Sequence, residues 1–136
     1  MAIFLDTSFV IALEMARDNQ HKAAATYWQD YIRNPLPRLT TDLVFTEIVT
    51  FFNARGIHAK AVEVGERLLA SQLVEVVNIT PELHAEAWAW FKRHADKQYS
   101  LADCASFVVM RKRRVTSALT FDDHFAQAGF VVLPVP

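Results

Sequence analysis

Short apolar runs alternate with amphipathic stretches along the whole chain. Four runs, Ala2–Leu5, Leu39–Thr41, Leu73–Val77 and Val115–Leu119, read as strands, and Phe130–Leu133 reads as a fifth. Between them the apolar period lengthens to that of helices. The pattern predicts helices over Ser8–Ala16, His21–Arg33, Asp42–Ala54, Ala59–Ala70, Pro81–Ala95 and Leu101–Arg113. Thr80 before Pro81 is a helix start, an N-cap followed by proline at the first helical position. Leu83, Ala87, Trp90 and Phe91 then recur at i, i+4, i+7 and i+8, which gives that helix one apolar face. The strands show no in-out alternation and are separated by helices. A parallel sheet buried on both faces follows.

At 136 residues the chain has the length of one domain, and no repeat or linker divides it, so residues 1–136 are read as a single unit. Three glycines are too few for a hairpin-rich fold, whose turns need positive φ. A formal charge of −1 excludes a globally basic coat for nucleic acid, so any phosphate binding needs a local patch or a metal. Cys104 is the one cysteine and reads as a small buried apolar group. The start Met1-Ala2-Ile3-Phe4-Leu5 is stopped by Asp6 and lacks the basic flank of a signal peptide. No apolar stretch reaches membrane-spanning length, and a cytoplasmic protein is the expectation.

In parallel sheets of this kind, sites form beyond the carboxyl ends of the strands. Asp6 directly follows the first strand, where it can also cap the next helix. Glu47 lies off the polar stripe Asp42, Thr46, Thr50, Asn53 of its helix, among Leu43, Val44 and Phe51. That placement predicts a buried acid with a partner, either a basic side chain or a metal. Asp103 sits where a capping box with Ser100 would use it, yet it also heads the core-facing stripe Asp103, Phe107, Met110. Its carboxylate either turns back to Ser100, faces a metal, or does both. Asp122 follows the fourth strand in Thr120-Phe121-Asp122-Asp123. If Thr120 caps the next turn, Asp122 is free; if Asp122 is the cap, it is occupied.

Convergence of these four acids would need a compensating charge. Two carboxylates ~4 Å apart repel by about 4 kcal/mol at an effective dielectric of about 20. A domain is stable by only ~5–15 kcal/mol in total. An acidic set without Cys or His at ligand spacing favours Mg²⁺ or Mn²⁺ over Zn²⁺, and such ions suit phosphodiester hydrolysis.

The segments Phe4-Leu5-Asp6-Thr7-Ser8, Thr46-Glu47-Ile48, Ser100-Leu101-Ala102-Asp103-Cys104-Ala105-Ser106 and Ala118-Leu119-Thr120-Phe121-Asp122-Asp123-His124-Phe125, followed by Gly129-Phe130, resemble the PIN-domain family. Length and motif order are most similar to its VapC-type toxins of type II toxin–antitoxin pairs. The resemblance implies an α/β/α sandwich with a central parallel sheet of four to five strands and a Mg²⁺- or Mn²⁺-dependent ribonuclease. It maps the metal-binding, catalytic acids onto Asp6, Glu47, Asp103 and Asp122, with Asp123 as the alternative to the last. Site-lining hydroxyls would be Thr7 or Ser8 and Thr120. It also implies an RNA substrate, a homodimer and a small antitoxin.

Several further features fit less specific roles. Arg111-Lys112-Arg113-Arg114 complements a helix dipole or, with Arg38, Arg55 and Lys60, forms a phosphate-binding strip. His124 reads as structural, having no metal-ligand partner at recognisable spacing. Phe45, Val49, Phe51 and Phe52 make Asp42–Ala54 apolar over most of its girth, and Trp88 lies off its helix's main stripe, so both mark candidate interface surfaces. Two alternative functions remain at this level. One is an aspartyl-phosphate phosphatase or receiver-like domain, which places an Asp after strand one but needs a second Asp or a Lys that is not evident. The other is a catalytically silent interaction module on the same fold.

Overall fold

A computed structural model describes residues 1–136. The strands are β1 (Ile3–Leu5), β2 (Arg38–Thr41), β3 (Val74–Val77), β4 (Ser117–Leu119) and β5 (Val131–Leu133). The helices are α1 (Thr7–Glu14), α2 (His21–Tyr31), α3 (Asp42–Ala54), α4 (His58–Ala70), α5 (Pro81–Arg93), α6 (Leu101–Arg113) and α7 (Asp123–Gln127). All strand pairs are parallel, in the order β3-β2-β1-β4-β5. Parallel crossovers turn right-handed, so connections running outward on the two sides of β1 cover opposite faces. Accordingly α1 to α4 pack among themselves, and α5, α6 and α7 form the second helical group. The expected three-layer α/β/α sandwich results.

The unbroken apolar runs are explained by this arrangement. Ile3, Phe4 and Leu5 are all buried, as are Ala118 and Leu119, because the central strands have helices on both sides. The core cluster gathers 28 buried residues, with Phe4, Phe9, Phe52, Phe107 and Phe125 among the side chains fully removed from water. In α6, every residue from Cys104 to Met110 is buried, so that helix is enclosed and not amphipathic. Cys104 is among them, and burial pushes its thiol up to about 11, which leaves it inert as a nucleophile.

The element ends differ from the sequence reading in instructive places. Val115 and Thr116 precede β4 and are not part of it. Arg114 takes a left-handed conformation (φ 56°), and the Val115 N–H donates to the Met110 carbonyl at 2.9 Å. Val115 thus closes a helix cap before the strand begins. The single turn α7 was not expected as a helix, since five residues are too few to display a period. No helix is long and apolar enough to cross a membrane.

The strand order sets the position of the site. The chain runs outward from β1 through β2 to β3, then returns to place β4 on the other side of β1. The order therefore reverses between β1 and β4, and a crevice opens beyond their carboxyl ends. Asp6 and Thr120 are the first residues past those two ends.

Candidate active site

A cleft of about 330 Å³ opens at this reversal. Asp6, Glu47, Asp103 and Asp122 all line it, along with Thr7, Ser8, Ser100 and His124. The four acids come from the β1–α1 junction, the middle of α3, the first turn of α6 and the β4–α7 junction. Sheet topology alone makes them neighbours.

Asp6 is the deepest, at 6% exposure. Its Oδ2 accepts hydrogen bonds from the Thr120 hydroxyl (2.7 Å) and the Ser8 hydroxyl (3.0 Å). Asp6 occupies the N-cap position of α1, but its side chain makes no capping bond, because it is turned into the cleft. Burial, reinforced by the charge of Asp103, pushes its pKa up to about 6 against the two hydroxyl donors. Thr120 is fully buried and also accepts from the Asp122 N–H at 3.0 Å, so one hydroxyl ties Asp6 to the β4–α7 turn. The Ser8 hydroxyl in turn accepts from the Phe121 N–H at 2.9 Å.

Glu47 departs from the expected burial. The residue is exposed, and only its carboxylate end reaches into the cleft. No basic side chain meets it. The Thr7 hydroxyl donates to its Oε1 at 2.9 Å. Partial burial raises its pKa, the Thr7 bond opposes that, and the charges of Asp103 and Asp122 raise it further. The expected apolar neighbours are on the same helix, but the cleft opens directly over this position and keeps it wet.

Asp103 both caps its helix and lines the cleft. The capping box is complete, with Ser100 Oγ accepting from the Asp103 N–H (2.9 Å) and Asp103 Oδ2 accepting from the Ser100 N–H (3.0 Å). The same Oδ2 lies 2.8 Å from His124 Nδ1 in the cleft. Asp122 proves to be the cap of α7, its Oδ1 accepting from the His124 N–H at 2.9 Å, and that oxygen is also 3.2 Å from His124 Nδ1. Asp123 points away and is exposed. Capping and facing the cleft are thus compatible, because a cap uses one lone pair of one oxygen.

His124 is the residue that sequence reasoning missed as part of this site. It belongs to the tightest group of metal-capable donors, with Asp103 and Asp122, all within 4.8 Å of one another. Its ring meets Tyr99 edge-on at 5.5 Å. The available signal was its position two residues after Asp122 at a strand end. Ile11 and Gln98 also line the cleft without having been expected there.

No lysine or arginine lines the cleft. Apart from Arg114, the basic residues considered for a phosphate strip are engaged elsewhere. Arg113 grips Glu75 (2.8 and 2.6 Å), Lys112 pairs with Glu86, Arg111 lies over the Trp90 ring, and Arg38 lies over Trp28. Arg55 covers Phe51, and Lys60 pairs with Glu14. The missing lysine also removes the receiver-like alternative, whose acyl phosphate needs that cation.

The PIN domain family model matches residues 3–131. The chain belongs to the PIN-domain family. Within it, this PIN domain is 40% identical over 129 residues to the 23S rRNA-specific endonuclease VapC20 of Mycobacterium tuberculosis strain H37Rv, covering 95% of each chain. The crystal structure of M. tuberculosis VapC20, described as a sarcin–ricin loop cleaving toxin, superposes with a TM-score of 0.86 at 38% identity, covering 95% of this chain and 96% of that one. FitAcB from Neisseria gonorrhoeae shares the fold at a TM-score of 0.67 and 17% identity, covering 97% of this PIN domain and 96% of that chain.

Proposed function

We propose that the protein is a divalent-metal-dependent endoribonuclease and the toxin of a toxin–antitoxin pair. The observation that carries this reading is the convergence of four carboxylates in a cleft with no lysine or arginine to balance them. Repulsion among such groups is a large fraction of a domain's net stability, and at Asp6 the charge of Asp103 adds to the burial that raises its pKa. A hard divalent cation removes the repulsion.

The donors fit that ion. Carboxylate oxygens on Asp6, Glu47, Asp103 and Asp122 match the oxygen-rich coordination of Mg²⁺ or Mn²⁺. Bound there, either ion supplies Lewis acidity toward a phosphoryl oxygen and a water of lowered pKa. The protein's own groups do the rest. Thr120 and Ser8 both donate to Oδ2 of Asp6, which holds the carboxylate in place where it lines the cleft. Glu47, the most exposed of the four acids, connects the cleft with bulk water. With water as nucleophile and no role for the RNA 2′-hydroxyl, the products carry a 5′-phosphate and a 3′-hydroxyl. Cys104, buried with its thiol at about 11, takes no part.

The 23S rRNA-specific activity of VapC20 points to large-subunit ribosomal RNA as the substrate. Its toxin character, with FitAB and a Klebsiella pneumoniae toxin–antitoxin complex among the structural neighbours, points to an antitoxin partner. A homodimer and a cytoplasmic location complete the reading. The test is incubation of the purified protein with ribosomes or 23S rRNA, in Mn²⁺ and in EDTA, with the RNA ends mapped. Cleavage requiring the metal, leaving 5′-phosphates and lost in Asp103→Asn, is expected. Undiminished cleavage in EDTA, or by Asp103→Asn, would overturn the assignment.

A further inference from the structure

We infer that His124 is a nitrogen ligand of the metal centre, which makes the centre favour first-row transition ions over Mg²⁺. The inference rests on the metal-dependent reading above and adds a donor that the four acids lack.

The five histidines behave differently. Nδ1 of His21 and of His94 each bonds a backbone carbonyl at 2.8 Å, and His58 Nδ1 meets the Asn53 side-chain amide. Those rings are tied into ordinary local structure. His124 Nδ1 faces only two carboxylate oxygens, Asp103 Oδ2 at 2.8 Å and Asp122 Oδ1 at 3.2 Å. Both spacings are close to the ~3 Å separating adjacent donors around an octahedral ion with bonds of about 2.1 Å. All three donor atoms lie within 4.8 Å of one another, so one ion could sit among them.

The ring is also held for this purpose. The Asp122 cap fixes the backbone of His124 at the start of α7, and the Tyr99 ring blocks one side of the imidazole. The side chain is 25% exposed, so the nitrogen stays reachable from the cleft. In the metal-free protein Nδ1–H donates to the Asp103 carboxylate; an ion seated there would displace that hydrogen and leave the ring's proton on Nε2, presenting a lone pair at Nδ1. Imidazole prefers transition ions, whereas Mg²⁺ prefers an all-oxygen shell. A centre of carboxylates with one imidazole therefore discriminates between Mn²⁺ and Mg²⁺ more than carboxylates alone.

The test uses Mn²⁺ bound to the intact protein, read by electron spin-echo modulation and by titration calorimetry. Directly coupled nitrogen is expected in the wild type and absent in His124→Ala and His124→Gln. Calorimetry should show Mn²⁺ affinity falling at least tenfold in both variants, with Mg²⁺ affinity changing less. Thermal unfolding in EDTA checks that the variants fold, and the wild-type spectrum stands whether or not they do. Tight Mn²⁺ binding by the wild type without nitrogen coupling would overturn this inference and leave the carboxylate centre intact. Failure of the wild type to bind Mn²⁺ at all would defeat both.

Discussion

Replacing Asp6 by Asn should stabilise the metal-free protein at neutral pH while weakening its response to metal. Folding lifts the Asp6 pKa from its ordinary 3.8 to about 6. Below pH 3.8 the carboxyl is protonated in both folded and unfolded chains and carries no penalty. As pH rises through about 6, the unfolded chain is already ionised while the fold must ionise a buried acid, so stability falls across that window. The full penalty above the window is about 3 kcal/mol, at 1.36 kcal/mol for each tenfold step in proton affinity. Asn keeps an oxygen to accept from Thr120 and Ser8, and the charge assistance of those bonds is already contained in the net shift; the new amide N–H pair in a nearly closed position offsets about 1–2 kcal/mol. A net gain of roughly 1–2 kcal/mol remains, or about 3–8 °C in midpoint for a domain of this size.

The assay is thermal unfolding of wild type and Asp6→Asn in EDTA at pH 4.5 and pH 7.5, repeated with saturating Mn²⁺. Acids remote from Asp6 titrate alike in both proteins and cancel in the difference, whereas Asp103, whose charge acts on Asp6, adds to it. The variant should lead at pH 7.5 in EDTA, and the lead should shrink at pH 4.5. In Mn²⁺ the order should reverse, since an ion at a hundred times its dissociation constant adds about 2.7 kcal/mol to the wild type. A variant less stable than wild type in EDTA at pH 7.5, or one that gains as much from Mn²⁺, would refute the argument that Asp6 is a strained carboxylate awaiting a cation.

Thr120→Val removes a buried hydroxyl that lowers the Asp6 pKa and accepts from the Asp122 N–H, so the acid limb of the pH–cleavage profile should move to higher pH and unfolding should cost about 1–3 kcal/mol less. An unchanged profile in Mn²⁺ would show that Thr120 does not govern Asp6. Phe107→Ala empties a fully buried site where the ring meets Trp90, Tyr99, Phe125 and Phe130, and urea denaturation should register a loss of about 3–5 kcal/mol. Glu14 is raised by its own burial but lowered overall by Lys60 and Arg67, whose nitrogens lie at 2.8 and 2.6 Å. Its contribution is present above the ordinary carboxylate range and lost as pH falls through the depressed value. Glu14→Gln should therefore reduce the midpoint at pH 7 by a few degrees, and the difference from wild type should shrink as pH falls below the ordinary carboxylate range.

What could be read from the chain, and what could not, divides along a physical line. Strand and helix identity follows from which faces are buried, and the central strands bury both, so Ile3-Phe4-Leu5 reads as an apolar run wherever it is met. Strand ends depend on hydrogen bonds that composition does not encode, as where Val115 completes the cap of α6 and only Ser117 joins the sheet. The acids were visible because each stood at a strand end or off a polar stripe. Their mutual arrangement was not, because it is made by strand order, and nothing local to Asp6 records that β4 lies beside β1 and places Thr120 at 2.7 Å.

His124 shows the limit most clearly. Its neighbours in the cleft are Asp122, two residues away, and Asp103, 21 residues away, and only the second would have distinguished a site from a helix turn. The same holds for the caps. Asp122 and Asp103 each satisfy a local rule that fully accounts for the residue type, so local reasoning has no residual to explain. Yet capping fixes a carboxylate's direction, and a helix that starts at a strand's carboxyl end lifts its cap residue over the sheet's edge. In this fold the capping bonds aim Asp103 and Asp122, and removing Ser100 Oγ should loosen Asp103 in the cleft even though Ser100 need never touch the ion.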